Sequence, residues 1–241
     1  MIIVSAYYDI PNKRNKDFYL SNLKLFFNFL NNDNKIIFFT DELNYNLIKS
    51  YENKNIKFII KPFEELRVFE KFPEKFWVKQ IEKDIEKYHT WQLAALWANK
   101  KYFVEEAMEM HTSEDWFIWV DCGCIRTIKW ESNCINFTKR KLPEKEGTYL
   151  QLINQIPDDV YFFRYPDIYV AGAIILFHKK HILDFINNYN NLLQIYDINS
   201  FCATSDQYIM ASMLKFNTPN LNSIYCETEQ IDKWFFFLEY F

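Results

Sequence analysis

One α/β domain built on a parallel sheet is predicted from three features of the sequence. Short apolar runs, β-branched or aromatic, recur at 2–8, 35–40, 56–61 and 116–120. Segments with helical spacing of their apolar residues separate them, and strands alternating with helices indicate a parallel sheet. The chain has 241 residues, 49% hydrophobic and 25% charged, which suits a single core better than two.

Each element has its own signal. "IIVSAYY" at 2–8 reads as a buried first strand, broken by Asp9, Pro11 and Asn12. Residues 16–32 place Leu20, Leu23, Phe27 and Leu30 on one side of a helix. "KIIFFT" (35–40) and "IKFIIK" (56–61) are the next strands, with a short helix between them. The aromatic and charged stretch 63–88 has no clear period. Residues 90–111 form a strong helix, with Leu93, Trp97, Val104, Ala107 and Met108 in one stripe; Lys100 lies in the middle of that stripe and Lys101 outside it. "WFIWV" (116–120) is a fourth buried strand, 127–160 reads as loops and weak elements, and "YVAGAIILFH" (169–178) is a further strand. Helices follow at 179–196 and 204–216, then a last strand at 223–227.

The formal net charge is −4 and no basic face stands out, which argues against a nucleic-acid partner. The basic clusters at 12–17 and 138–141 read as solvated loops. Polar residues interrupt the first apolar run too early for a signal peptide, and the longest apolar run is about half a membrane span. Five cysteines without paired spacing suggest reduced thiols, so the expected location is the cytoplasm. The tail "WFFFLEYF" allows at most peripheral membrane contact.

Chemistry-bearing residues gather where strands end. In parallel α/β sheets ligands bind outside the carboxyl ends of the strands. Asp121 follows the fourth strand there, and Gly123, in a chain with only 3 glycines, lets a ligand approach the backbone. A carboxylate so placed can hold a hard divalent ion that bridges phosphate oxygens. Ser5, Ala6, Tyr7, Tyr8 and Asp9 end the first strand and can cradle a nucleotide base, with Tyr7 or Tyr8 as a stacking face or as core. Lys100 either meets a diphosphate or snorkels to water. Gly172, between Ala171 and Ala173, opens a strand on which a large substrate could lie flat. In "TSDQ" (204–207), Thr204 as N-cap and Gln207 three residues on form a capping box. Asp206 either favours the positive helix end or aims a carboxylate into the cleft.

"IIVSAYYDI", "YHTWQLAALWANKKYFVEEA" and "DWFIWVDCGCIR" resemble the blocks of the HtrL/YibB (WlaTC-like) family, well over residues 1–130 and more loosely through "VAGAIILFHKKHI" and "SDQYIM". Members are linked to lipopolysaccharide and surface-glycan synthesis and are regarded as glycosyltransferases. The resemblance implies a GT-A-like, Rossmann-type fold binding a nucleotide sugar, with a UDP-sugar as the expected donor. Residues 1–126 would form the nucleotide-sugar half and 127–241 the acceptor half, receiving a glycan or glycoconjugate. Asp121-Cys122-Gly123 stands where the usual Asp-x-Asp would be, without its second carboxylate. Asp121 would then hold Mn²⁺ or Mg²⁺ with water and diphosphate completing the shell, or bind the ribose or sugar directly.

Glycosyl transfer needs a cation to stabilise the leaving diphosphate, for which Asp121 with a metal or Lys100 would serve. Asp206 is the candidate base for the acceptor hydroxyl, and Gln207 and Gly172 join the donor-binding set. A nucleotide-sugar or glycan binding protein without turnover is the alternative. An aspartyl-phosphate enzyme lacks its second Asp and Thr here, and no P-loop is present. His178 and His181, at i and i+3, have no spaced cysteine pair for a zinc site.

Overall fold

A computed structural model describes residues 1–11, 14–30, 34–139, 141–226 and 232–241. Asn12, Lys13 and Arg140 of the two basic clusters, and Asn31 and Asn32 of the first predicted helix, lie outside them, as does the end of the last predicted strand. The first half alternates as expected: β1 (Ile2–Tyr7), α1 (Lys16–Leu30), β2 (Lys35–Thr40), α2 (Glu42–Ile48) and β3 (Ile56–Ile60). The unassigned stretch supplies two short helices, α3 (Val68–Lys71) and α4 (Glu74–Ile81), before α5 (Trp91–Met110) and β4 (Trp116–Val120). The second half holds α6 (Glu131–Ile135), β5 (Thr148–Leu152), β6 (Val170–His178), α7 (Ile182–Ile198), α8 (Asp206–Lys215), β7 (Leu221–Tyr225) and α9 (Phe237–Tyr240).

Among the described residues these strands form one seven-stranded sheet in the order β3-β2-β1-β4-β6-β5-β7. The expectation of an α/β single domain on a parallel sheet holds for most of the sheet, with one strand reversed. β6 runs antiparallel to both its neighbours, β4 and β5, while the other pairings are parallel. β5 lies inside the stretch read as loops and weak elements, and "TYLQL" gives no stronger signal because it is five residues with a polar one between its leucines. Its burial comes from pairing with β6 and β7, which the local sequence does not reveal.

Side-chain alternation splits the core across the two sheet faces. Ile2, Val4, Phe117 and Trp119 pack on one face beneath α5, α7 and α8. Ile3, Phe38, Ile118 and Val120 pack on the other with α1, α6 and the tail. Burying each such side chain is worth about 1.5–3 kcal/mol. α5 starts at Thr90, whose hydroxyl accepts from Leu93 N, and crosses the first face with Phe103 stacked between Tyr8 and Trp119. Phe235, Phe236, Phe237, Leu238 and Phe241 of the tail are buried in this second layer. No described helix is long and apolar enough to cross a membrane, and no disulfide forms among the described residues.

Candidate active site

Strand direction decides what meets at one edge of the sheet. β1 and β4 end where the antiparallel β6 begins, so Tyr7, Asp121 and Gly172 converge there. The chain order also reverses there, since β2 lies on one side of β1 and β4 on the other. A crevice opens at such a switch point.

Alternation along β4 puts Asp121 on the same face as Trp119, and Trp119 Nε1 donates to Asp121 Oδ1 at 2.7 Å. α5 lies over that face and aims Lys100 at the same carboxylate, with Nζ 3.0 Å from Asp121 Oδ1 and 3.4 Å from Oδ2. Nζ also lies 2.8 Å from Asp206 Oδ2 and donates to Gly172 O at 2.8 Å. Two hydrogen bonds, to Asp121 and Gly172 O, and an ion pair to Asp206 thus surround one ammonium. The side chains are 6% exposed at Lys100 and 5% at Asp206, against 33% at Asp121. Lys100 therefore does not snorkel; it is the counter-ion of two carboxylates. Burial works against its charge, but Asp121 and Asp206 outweigh burial and hold it above the usual lysine range. Burial raises the Asp121 carboxyl, Lys100 pulls it down and Asp206 pushes it up, with a net rise.

Asp206 is the first residue of α8. Its cap is Ser205, whose hydroxyl accepts from Gln207 N at 3.3 Å, so the predicted Thr204 cap is corrected by one residue. Thr204 instead points its hydroxyl to Asp84. Gly172 is what admits Asp206: a Cβ there would lie 2.7 Å from Asp206 Oδ2 and 2.9 Å from its Cγ.

These groups form the floor of a cleft of about 510 Å³, within the range of small-molecule sites. Ala6, Gly123 and Gln207 line it with Lys100, Asp121 and Asp206. Tyr7 and Tyr8 reach it only as parts of the core, at 4% and 3% exposed, so neither offers an open face for stacking a base. Two predicted residues fall outside the lining. Ser5 is buried in the sheet, donating to Val120 O at 2.6 Å. Asp9 is exposed and paired with Lys16 at 2.8 Å. The half-buried rings in the cleft wall are Phe18, Tyr19, Tyr88, Trp97 and Trp234.

Sequence reasoning missed two cations of the wall, Arg14 and Arg126. Arg126 ends the very block that begins at Asp115, and Arg14 was absorbed into a cluster read as a solvated loop. The structure also groups metal-capable side chains elsewhere: Asp84, Glu86 and His89 behind Tyr88, and Glu146, His178 and His181 at the far end of β6. The third member of the His178–His181 group is thus Glu146 rather than a cysteine.

No protein-family model matches the sequence, and no curated protein matches it. The fold is similar to that of a solved glycosyltransferase involved in glycosylation of the major capsid of PBCV-1, at 13% identity over 93% of this chain and 81% of that one, TM-score 0.45. It is also similar to mouse xyloside xylosyltransferase 1 in its apo form, at 13% identity over 92% and 83% of the chains, TM-score 0.49.

Proposed function

We propose that the protein is a GT-A-like glycosyltransferase that moves a sugar from a nucleotide-sugar donor, a UDP-sugar in the first instance, to a glycan or glycoconjugate acceptor in surface-glycan synthesis. The observation that carries this reading is the cleft itself. At the sheet's switch point one partly exposed carboxylate, Asp121, is tied to a buried ammonium beneath aromatic walls. In this reading residues 1–126 form the nucleotide-sugar half and 127–241 the acceptor half, with Asp206, Gln207 and Trp234 of the second half lining the same cleft as residues of the first.

Transfer forms a bond from the acceptor oxygen to the anomeric carbon. It breaks the bond from that carbon to the diphosphate oxygen, which leaves with the electron pair. The acceptor proton goes to a base. Asp206 was the sequence-based candidate, but its carboxylate lies under Gly172 against Lys100. Asp121 is the better placed group: its Oδ2 has only the 3.4 Å contact from Lys100, and its raised pKa suits a general base. Asp206 acts through Lys100 as a positioning residue. The aromatic walls provide flat apolar surface for a base and sugar rings.

Mn²⁺ or Mg²⁺ at Asp121 fits these residues poorly. A hard divalent ion takes about six oxygen donors. Here Asp121 Oδ1 is already held by Trp119 and Lys100, and an ammonium stands between Asp121 and the only other carboxylate of the floor. No step is therefore routed through a metal at this position.

The test is release of nucleoside diphosphate from a panel of nucleotide sugars, with Asp121→Asn as control. Turnover that falls about a hundredfold or more in the variant, with the fold kept, supports the reading. Donor binding without release for any donor and acceptor supports the non-catalytic binding protein instead.

A further inference from the structure

We propose that the cleft grips the donor's diphosphate through the guanidinium groups of Arg126 and Arg14, in the role a divalent cation would otherwise fill. This rests on the glycosyltransferase reading above and assigns the anion-binding part of that site. A cleft that stabilises a leaving diphosphate must supply positive charge. The floor cannot supply it. Lys100 is the only cation there among the described residues, and its ammonium is held by hydrogen bonds to Asp121 and Gly172 O and by the ion pair with Asp206. Lys100, Asp121 and Asp206 together carry one net negative charge, so a diphosphate laid on this floor alone would be repelled.

The wall reverses that balance. Asp121 O accepts from Cys124 N at 3.0 Å, which folds 121–124 into a tight turn and carries the chain on to Arg126. The Arg126 side chain bends back over this turn, its Nε donating to Gly123 O at 3.3 Å and its Cζ lying 4.8 Å from the centre of the Phe235 ring. One N–H and one face of the guanidinium are thereby fixed, and the residue is exposed in the cleft wall. No carboxylate pairs with Arg126 among the described residues. A guanidinium held by one edge and one face, with its fork open, is preorganised to bind phosphate oxygens in pairs.

Arg14 enters the same cleft from the loop before α1, its Cζ 5.2 Å from the centre of the Phe18 ring. Both arginines lie near Tyr19. Burial, Cys122 and Asp121 push that hydroxyl up to about 12, and Arg126 and Arg14 work against the rise. Tyr19 in turn packs where a Cβ on Gly123 would be, 3.3 Å away, so Gly123 lets the ring and the turn close together. With Arg126 added, the charged groups of the floor sum to zero instead of minus one, and Arg14 brings a second guanidinium to the same wall. The anion site therefore lies on the Gly123–Tyr19 side of Asp121, and Lys100 is left as the internal counter-ion.

The experiment is calorimetric titration of the whole protein with UDP, and with inorganic pyrophosphate to separate diphosphate from base, in excess EDTA and again in MnCl₂. The expected result is UDP affinity that changes less than about twofold between the two buffers. It should weaken by about tenfold or more in Arg126→Gln, as for loss of hydrogen bonds to a charged group. Arg14→Gln should weaken it less, and Arg126→Lys should recover only part of the loss. Unaltered melting curves keep misfolding out of the comparison. UDP binding that appears only with Mn²⁺, or that ignores Arg126→Gln, overturns the guanidinium assignment and leaves the proposed function standing. A protein that binds neither UDP nor pyrophosphate in either buffer, yet releases diphosphate from another nucleotide sugar, also overturns it. Absence of both binding and release removes both proposals.

Discussion

Lys100 and Lys101 are neighbours on one helix, both buried, and they live in opposite electrostatic worlds. Lys100 has two carboxylates and a carbonyl around its ammonium and is held above the usual lysine range. Lys101 Nζ donates to Ala98 O and lies 4.2 Å from the centre of the Tyr189 ring and 4.5 Å from that of Tyr102, with no carboxylate paired to it among the described residues. Burial pushes it well below the usual range, and Glu105 and Asp206 only partly oppose that. The difference teaches that a buried lysine is explained by what faces it, not by burial alone. The Lys100 surroundings are an ion-paired site, one ammonium against two carboxylates, open to the cleft on one side through Asp121. The Lys101 surroundings are a packing solution in which the amine can go neutral.

Breaking the first environment should have the largest effect. Lys100→Met keeps the length of the stem and removes the charge, leaving Asp206 buried at 5% exposure beside Asp121 with no cation between them. Removing one partner of a buried ion pair costs roughly 3–5 kcal/mol. Denaturant unfolding at neutral pH should show a loss of that order. The loss should shrink as the pH falls and Asp121, whose carboxyl burial holds up, takes up its proton. The sign for Lys100 itself is opposite: with its folded pKa raised, its contribution is complete below the unfolded value of about 10.4 and lost as pH rises through the folded one. A variant as stable as the parent at pH 7 would mean that the two carboxylates do not depend on Lys100.

A subtler break separates Asp206 from Lys100 without touching either. Gly172→Ala places a methyl 2.7–2.9 Å from the Asp206 carboxyl atoms, closer than real contacts allow. Its backbone angle is not of the left-handed kind, so the effect is purely one of space. Asp206 must swing away, and Lys100 loses one of its two carboxylates. The expected cost is about 1–3 kcal/mol, as for overpacking, together with reduced turnover. Gly172→Ala in an Asp206→Ala background should recover most of that stability, because the clash is gone. No recovery would show that Gly172 serves the strand and not the carboxylate.

The same contrast shows what the sequence made legible. The helical stripe picked out Lys100, and the strand-end rule picked out Asp121, because both rest on local periodicity. Asp206 is legible in the sequence as a helix start and as a candidate base, but not as a partner of Lys100. Its approach to Lys100 depends on Gly172 in a reversed strand, and nothing local marks β6 as antiparallel. Lys101 was placed outside the stripe, yet it is buried, since α7 and Tyr189 cover a second side of α5. Ser5 and Asp9 were included by adjacency to Tyr7 and Tyr8. One turned into the sheet and the other out to Lys16, as alternation and a chain break allow. Arg126 ends the block that contains β4 but carries no period and no strand end, so only the folded turn reveals it.

Lys101→Met sharpens the comparison with the smallest effect and the opposite sign. Methionine fits the space of the stem, fills the gap between Tyr102 and Tyr189, and removes an amine that burial disfavours. The variant should be neutral to about 1–2 kcal/mol more stable at pH 7, the outcome for replacing a buried charged group by an apolar one. The pH dependence carries the decision. A lysine whose folded pKa is depressed binds fewer protons folded than unfolded. The parent should therefore gain stability with rising pH, by up to about 1.4 kcal/mol per pH unit, from the folded pKa to the unfolded one near 10.4. Lys101→Met lacks that rise, so the two stability curves should converge as the pH approaches 10. UDP affinity should stay unchanged, because Lys101 is absent from the lining of the cleft. Parallel curves over that range would mean that Lys101 is protonated in the folded protein, and that its two tyrosine faces hold an ammonium as firmly as the carboxylates hold Lys100.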